Sequence, residues 1–214
     1  MEPIEKNLRS EKQIAIARLQ DLAMESMLAV ENGIILYGGT TIWRCFGGKR
    51  FSFDLDIYAT DKQHRKLLGD LTLELNKRGI IMDYQISTER VIDLHNDLAS
   101  VKLEILKKPK GKKSVQREYV KTDGTKMFVN TLSEEDFISE KIKAYRSRAY
   151  ARDIYDIYFL VSSSGKLGSS IKAKLKTFLN SIEKPKDEKQ LKELVYEGVA
   201  PTFETMVDYI KGAL

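Results

Sequence analysis

The feature that most constrains the fold of this chain is a change of hydrophobic pattern near Thr131. Before that residue, short apolar or alternating runs, which are typical of strands, lie between stretches with helical spacing. After it, the spacing is helical almost to the C terminus. We therefore expect an α+β fold, in which a mixed sheet flanked by helices occupies residues 1–130 and a C-terminal helical bundle occupies residues 131–214.

Length and composition exclude several classes of protein. The chain has 214 residues, of which 42% are apolar, as expected for one globular domain or two small ones. No apolar run is long enough to span a bilayer, and the first residues lack the apolar stretch of a secretory signal. A single cysteine, Cys45, excludes an internal disulfide, and with only two histidines a structural zinc site is not expected. We expect a cytoplasmic protein with no membrane partner.

The positive charge of the chain is concentrated in one stretch. The formal net charge is +5, yet residues 107–126 alone contain eight Lys or Arg and two acids, so this stretch carries +6 and the rest carries −1. Such a patch predicts a polyanion bound at one place, namely RNA, DNA or a triphosphate. The alternative is a solvated lysine-rich hairpin. The residues predicted to bind RNA are Lys107, Lys108, Lys110, Lys112, Lys113 and Arg117.

Two aspartates, Asp54 and Asp56, are the first candidates for a chemical site. They lie two residues apart in a run of bulky apolar residues that predicts a strand, so both side chains point to the same side. Carboxylates this close repel each other and are best tolerated where a divalent cation joins them. Hard oxygen ligands suit Mg²⁺ or Mn²⁺, so the pair predicts a site for one of these ions.

Glu104 is the candidate for a third carboxylate ligand. It lies in the segment 99–106, whose alternating pattern predicts a strand with one polar face, and it shares that face with Lys102. An antiparallel neighbour of the aspartate strand would bring Glu104 over the pair, and three carboxylates can clamp two metal ions for in-line phosphoryl or nucleotidyl transfer. The alternative is that Glu104 is a half-exposed strand residue paired with Lys102.

A glycine turn precedes the aspartates and predicts a phosphate-binding loop. Gly38, Gly39 and Thr40 follow a short apolar run and open a helix, so the backbone can approach an anion closely and present free N–H groups to it. Side chains that can donate hydrogen bonds to phosphate follow at Arg44, Arg50 and Ser52. Arg44 is equally explained as the structural partner of an acid.

These motifs resemble a known signature. Gly38-Gly39-Thr40, Arg44 and the segment Arg50-Phe-Ser-Phe-Asp-Leu-Asp56 resemble the signature of the DNA polymerase beta-like nucleotidyltransferase superfamily. Within it, the chain resembles the AbiEii/AbiGii toxin family of abortive-infection and type IV toxin–antitoxin systems, because Lys141 and the motif Arg152-Asp153-x-x-Asp156 match that family's downstream motifs. The resemblance covers residues 33–162. Many superfamily members have Gly-Ser where this chain has Gly-Gly-Thr, so Thr40 or Thr41 would replace the serine.

The resemblance implies a metal site and a nucleotide site. Asp54 and Asp56 would bind Mg²⁺ or Mn²⁺, and Ser52 would lie beside the triphosphate of a nucleoside triphosphate substrate. In the second half of the chain, Lys141 would contact the same triphosphate. These roles follow from the positions that match the family motifs.

The two aspartates of the downstream motif have alternative roles under this resemblance. Asp153 or Asp156 would complete the site, or would orient Lys141 and Arg152. Being three residues apart on a predicted helix, the two aspartates share a face. The alternative is that this helix packs through its apolar residues and keeps its charges in solvent, which explains the two acids poorly.

The resemblance also implies a reaction, the transfer of a nucleoside monophosphate from a nucleoside triphosphate to an acceptor hydroxyl with release of pyrophosphate. Characterised members imply a tRNA 3′ end as the acceptor, so that translation stops, and a cognate antitoxin protein as a partner. A second hypothesis keeps this chemistry but modifies a protein hydroxyl or a small molecule such as an aminoglycoside. A third is a catalytically inactive protein that binds RNA or a partner through the basic stretch.

Overall fold

A computed structural model describes residues 3–84, 90–109, 111 and 113–214. Lys110 and Lys112, two of the residues predicted to bind RNA, lie outside the described residues. The chain divides into two compact units. Unit 1 comprises Met1–Cys45 and Phe51–Leu132, and unit 2 comprises Phe46–Arg50 and Ser133–Leu214. The chain therefore passes between the units three times.

Unit 1 contains a mixed sheet. Its strands are β1 (Ile35–Tyr37), β2 (Leu55–Ala59), β3 (Ile81–Tyr84), β4 (Val91–His95), β5 (Ser100–Lys107), β6 (Val115–Val120) and β7 (Lys126–Thr131). Among the described residues these strands lie in the order β3-β4-β5-β2-β1-β7-β6. Strand β2 is antiparallel to β1 and parallel to β5, and β1 is parallel to β7. The strands at the centre of the sheet thus belong to distant parts of the sequence.

The described part of unit 1 also contains three helices, and two of them pack on the sheet. The three helices are α1 (Glu11–Val30), α2 (Gly38–Phe46) and α3 (Asp61–Asn76), preceded by a 3-10 turn at Ile4–Asn7. Helix α1 packs against β5, and α3 packs against β2 and β3. The fully buried residues Leu55, Ile57, Leu103 and Ile105 form the apolar side of β2 and β5. Because side chains alternate along a strand, the residues between them face the opposite side of the sheet.

Unit 2 is helical. It contains α4 (Glu134–Arg148), α5 (Ala151–Ser163), α6 (Ser169–Leu179), α7 (Glu188–Leu194) and α8 (Phe203–Gly212). Ser133 caps α4, since its hydroxyl accepts a hydrogen bond from the backbone N–H of Asp136. At the other end of α4, Ala149 takes a left-handed conformation with φ 52°, and the chain turns there into α5. Helix α5 packs on α4, α7 and α8.

The predicted α+β class is confirmed, because a mixed sheet with helices precedes a helical region. Two expectations about the strands were incomplete or wrong. Strand β4 was not predicted, and the strand that carries Glu104 is parallel to the aspartate strand, not antiparallel. No described helix combines the length and the apolar character needed to cross a membrane.

Candidate active site

Three carboxylates of unit 1 lie at neighbouring positions of the sheet. Asp54 and Asp56 flank the fully buried Leu55, so both belong to the less buried side of β2. Glu104 on β5 is the direct parallel partner of Asp56 and is also half-buried. Partners that lie side by side in register point to the same face, so the sheet brings Glu104 beside Asp56 although 48 residues separate them.

These carboxylates fit a divalent cation of the Mg²⁺ type. In the described part of the chain, the side chains of Asp54 and Glu104 have no hydrogen bond or ion pair that would occupy their oxygens. Within residues 3–84, 90–109, 111 and 113–214, no three or more His, Cys, Asp and Glu side chains form a cage for a metal ion. Mg²⁺ does not require one, because it is usually held by one or two carboxylates together with waters and substrate phosphates.

The glycine turn approaches one of the aspartates closely. Gly38 has φ +81°, a left-handed conformation that favours glycine. A Cβ atom at this position would lie 2.0 Å from Oδ2 of Asp56, so any other residue would collide with the carboxylate. Helix α2 starts at Gly38, so the glycine turn forms the first residues of the helix, and the backbone at this end of α2 lies close to the carboxylate of Asp56.

Hydroxyl and backbone groups fix the segment that contains the aspartates. The Thr40 hydroxyl is buried and donates a 2.5 Å hydrogen bond to the backbone oxygen of Asp54. The amide of Gln20 donates a 2.9 Å bond to the backbone oxygen of Ser52, a residue that is 9% exposed. Thr40 thus holds the loop before β2, and its hydroxyl is committed to this contact.

Arg44 lies in the core of unit 1. It is 1% exposed, and its guanidinium donates to the backbone oxygens of Ala17 and Val120 at 3.0 and 3.3 Å. It also forms an ion pair with Asp21 at 3.2 Å and stacks over the ring of Trp43 at 4.0 Å. These contacts occupy both Nη atoms of a guanidinium that is buried in the core, so the structure favours the structural role of Arg44 over the predicted phosphate contact.

Two aspartates and a lysine form a buried cluster in unit 2. Asp153 and Asp156 on α5 are fully buried, and Lys141 on α4 is 7% exposed. The Lys141 ammonium lies 2.6 Å from Oδ2 of Asp156 and 3.3 Å from Oδ1 of Asp153. The alternative in which the charges of α5 stay in solvent is therefore wrong, because packing of α4 on α5 buries both acids and pairs them.

Two arginines complete this cluster. Arg50 donates from Nε and Nη2 to the two oxygens of Asp156, at 2.6 Å each. Arg148 donates from Nε and Nη2 to the two oxygens of Asp153, at 2.7 and 2.9 Å. Both pairs are bidentate, the geometry that makes arginine–carboxylate pairs strong. Arg50 was predicted to contact phosphate, but the structure pairs it with Asp156.

The electrostatics of the cluster follow from these pairs. Burial opposes the charged form of Arg50, but the charge and hydrogen bonds of Asp156 outweigh it and raise the pKa of the guanidinium. Burial likewise favours neutral Asp153, but the hydrogen bonds from Arg148 and the charge of Lys141 hold the pKa of that carboxyl below its ordinary value. Both groups are therefore charged at neutral pH.

Arg148 is the residue that the sequence reasoning missed. Arg152 was predicted near the nucleotide, but its guanidinium lies 5.5 Å from the ring centre of Tyr150. Arg148 in the last turn of α4 pairs with Asp153 instead. A basic residue in the last turn of a helix is a common signal, and nothing in the sequence marked this one as the partner of a residue on the next helix.

The four described residues of the predicted RNA surface differ in their surroundings. Lys107 forms an exposed ion pair with Asp61 at 2.7 Å. Arg117 on β6 is half-buried and has a buried Nε atom. Lys108 is half-buried and Lys113 is exposed, and neither has a side-chain ion pair with another described residue. Lys108 and Lys113 are therefore the members best suited to contact a polyanion.

Comparisons with known proteins identify the family. The chain matches the family model of the nucleotidyl transferase AbiEii toxin of type IV toxin–antitoxin systems over residues 22–209, which is most of its length. No curated protein matches it. The resemblance seen in the sequence motifs is thereby confirmed.

Solved structures share the fold. MenT4, a nucleotidyltransferase toxin from Mycobacterium tuberculosis, is 18% identical, with a TM-score of 0.66 over 96% of this chain and 84% of that one. JHP933 from Helicobacter pylori is 20% identical, with a TM-score of 0.63 over 96% and 90%. ANT(2″)-Ia, solved in complex with adenylyl-2″-tobramycin, is 12% identical, with a TM-score of 0.50 over 77% and 97%. The chain is thus a nucleotidyltransferase that belongs to the AbiEii toxin family.

Proposed function

We propose that this nucleotidyltransferase is metal-dependent and transfers a nucleoside monophosphate to an acceptor hydroxyl, with Asp54 and Asp56 as metal ligands and Glu104 as the third carboxylate. The observation that carries the proposal is the register of β2 and β5, in which Glu104 lies beside Asp56. The turn at Gly38, whose backbone reaches the same carboxylate, supports it further.

A divalent cation would supply two kinds of chemistry here. Bound Mg²⁺ or Mn²⁺ neutralises triphosphate charge and lowers the pKa of an attacking hydroxyl. The protein's own part is to hold the ligands, and Thr40 and Gln20 do this by bonding the backbone on both sides of Phe53. The N–H groups at the start of α2 supply further positive potential for a phosphate.

Lys141 is the proposed triphosphate contact from the helical part of the chain. Its ammonium is held by Asp153 and Asp156, so its position is fixed before any substrate binds. Around these two aspartates, the described chain places the three cations Arg50, Lys141 and Arg148, which leaves one positive charge in excess. An electropositive, preorganised group of this kind suits an anionic substrate.

The proposed acceptor is the 3′ end of a tRNA, with the basic stretch as the RNA-binding surface. Lys108 and Lys113, which have no ion pair with described residues, support this, because phosphate contacts dominate the affinity for nucleic acid. Membership of a type IV toxin family supports a further proposal, that a cognate antitoxin opposes this activity.

Label transfer tests the reaction and the acceptor together. The purified protein is incubated with Mg²⁺, total tRNA and each labelled nucleoside triphosphate in turn, and we expect label on tRNA with at least one nucleotide. Label on a protein or on an aminoglycoside, with tRNA unlabelled, would select the second hypothesis. Absence of transfer together with absence of Mg²⁺-dependent nucleotide binding in calorimetry would select the inactive protein.

A carboxamide variant tests the metal ligands. We expect Asp54→Asn to lose transfer while its unfolding transition stays close to that of the wild type, because Asp54 has no other side-chain partner in the described chain. Asp97→Asn, an exposed aspartate of the same unit, is the matched control and keeps full activity. Full activity of Asp54→Asn would refute the metal assignment.

A further inference from the structure

The segment between α2 and the aspartates belongs to unit 2. Residues 46–50 are bordered on both sides by residues of unit 1, yet they pack with the helical part of the chain. Phe46 contacts the ring of Phe137 edge-on at 5.4 Å. The backbone N–H and the hydroxyl of Tyr196 donate to the backbone oxygens of Lys49 and Gly48, at 3.1 and 3.0 Å. The segment is thus held along its whole length.

Arg50 ends this segment and is its most strongly held residue. Its backbone forms an antiparallel bridge with Val195, and its side chain is 5% exposed. Both oxygens of Asp156 accept its bidentate bonds, and one of them also lies 2.6 Å from Lys141. A cation removed from water to this degree stays in place only while its partner is present. Arg50 therefore has no exposed face with which to bind a substrate phosphate.

Each link from Arg50 to the aspartates is also held. Phe51 is fully buried and packs on Trp43 with ring centres 4.8 Å apart. The backbone oxygens of Ser52 and Asp54 accept the bonds from Gln20 and Thr40 described above. Four residues of extended chain reach at most about 14 Å, so Asp54 lies within that distance of Arg50.

We infer that Arg50 and Asp156 form an anchor for the chain that leads into the metal-binding carboxylates. Asp156 is then a positioning residue, which acts on Asp54 and Asp56 through Arg50. This inference rests on the proposed metal role of those two aspartates. It assigns to Arg50 a task different from phosphate binding, and it accounts for the complete burial of Asp156.

The competing assignment makes Asp156 a catalytic residue that touches metal or substrate. The two assignments predict different mutant patterns. An anchor is lost when either partner is removed, so Arg50→Met and Asp156→Asn should have the same phenotype, and the double variant should be no worse than either single one. An Asp156 that acts on the site directly, or through Lys141, predicts that Asp156→Asn is far more severe than Arg50→Met.

Hydrogen exchange of the full chain tests the anchor without any assay of activity. We expect both single variants to lose more protection of the amides in residues 46–56 than of the amides in α4 and α5, which report the general loss of stability. Lys49→Met is the matched control. Lys49 lies next to Arg50 in the sequence, and its side chain forms only an exposed ion pair with Glu197. Unchanged protection of residues 46–56 in Arg50→Met and Asp156→Asn would overturn the inference.

A milder variant covers the case in which these proteins fail to fold. Arg50→Lys keeps the charge but loses the bidentate fork. We expect it to fold and to lose protection in residues 46–56 to a smaller extent. Wild-type protection in Arg50→Lys, with Arg50→Met unfolded, would show that the fork does not hold this segment and would also overturn the inference.

Binding of Mn²⁺, followed by electron paramagnetic resonance in the presence of a nonhydrolysable nucleoside triphosphate, tests the consequence for the carboxylates. We expect Arg50→Met and Asp156→Asn to weaken Mn²⁺ binding by roughly ten- to a hundredfold, the range for residues that orient metal ligands, with no further loss in the double variant. Loss in Asp156→Asn alone would show that Asp156 acts on the site by a route other than Arg50, either directly or through Lys141, and would overturn the anchor. If the wild-type protein binds no Mn²⁺, the proposed metal site fails, whereas the exchange experiment still decides the anchor.

Discussion

Two buried arginines, Arg44 in unit 1 and Arg50 in unit 2, have their charges stabilised by different kinds of partner. Arg44 pairs with Asp21 but donates mainly to neutral backbone oxygens and stacks on aromatic rings. Arg50 donates two hydrogen bonds to Asp156, and the same carboxylate also pairs with Lys141. The first arrangement contains one ion pair among neutral partners, and the second is built from charges throughout.

The pKa values of the carboxyls of Asp21 and Asp153 are shifted in opposite directions in these two networks. Burial raises the pKa of Asp21 above its ordinary value, although Arg44 and the hydrogen bonds of Thr122 and Tyr119 oppose the shift. The pKa of Asp153 is held below its ordinary value by Arg148 and its neighbours, in spite of burial. We therefore expect the network around Asp21 to tolerate the loss of its cation better than the network around Asp153 and Asp156.

The largest effect is expected when the carboxylate of Asp156, which Arg50 and Lys141 share, is removed. Asp156→Ala leaves Arg50 and Lys141 as buried cations without their common partner, and removal of one member of a buried pair costs roughly 3–5 kcal/mol. We expect a loss of this size in the free energy of unfolding, measured by urea denaturation. A loss below about 1 kcal/mol would mean that unit 2 does not depend on the pairing.

The matching change in unit 1 should cost less. Arg44→Met leaves Asp21 with hydrogen bonds from the Tyr119 hydroxyl and the Thr122 N–H, so the carboxyl keeps two partners. We expect a loss of about 1–3 kcal/mol in the free energy of unfolding, with the transfer rate of the folded protein unchanged. A loss larger than that of Asp156→Ala, or a lost activity at full folding, would contradict the contrast.

The dependence of stability on pH should have opposite signs for the two acids. A carboxyl with a lowered folded pKa stabilises the protein above its ordinary pKa, and this contribution disappears as the pH falls through the folded value, so Asp153→Asn should weaken the loss of stability in acid. A raised folded pKa gives the reverse, so Asp21 contributes less stability as the pH rises from its ordinary to its folded pKa. Urea midpoints measured from about pH 2 to pH 7 check both signs. If the urea midpoint changed with pH by the same slope in Asp153→Asn and Asp21→Asn, the two acids would not differ in the predicted way.

Exposed charges outside both networks should affect stability least. We expect the double variant Lys108→Ala, Lys113→Ala to unfold within about 0.5 kcal/mol of the wild type. If these lysines contact tRNA, the slope of log affinity against log salt concentration falls by about 1 for each lost phosphate contact. The control removes the exposed lysines Lys166 and Lys189 of unit 2 and keeps the wild-type slope. An unchanged slope in the first variant would exclude both lysines from the RNA surface.

The sequence alone determined the features that depend on local pattern and motif. The change from mixed to helical periodicity predicted the fold class, and the glycine turn, the aspartate pair and the downstream motif indicated the family. Such signals survive in a single sequence because periodicity and turn chemistry are set by residues close together in the chain.

Only the tertiary structure decided which residues become partners. Strand β5 lies parallel to β2, and nothing local to Glu104 encodes that direction. Arg44 and Arg50 are six residues apart and are the same residue type, yet one pairs with Asp21 and the other with Asp156. The physical reason is that burial and charge pairing depend on what the fold brings close, and Arg50 meets an acid 106 residues away only after α4, α5 and the segment 46–50 have packed together.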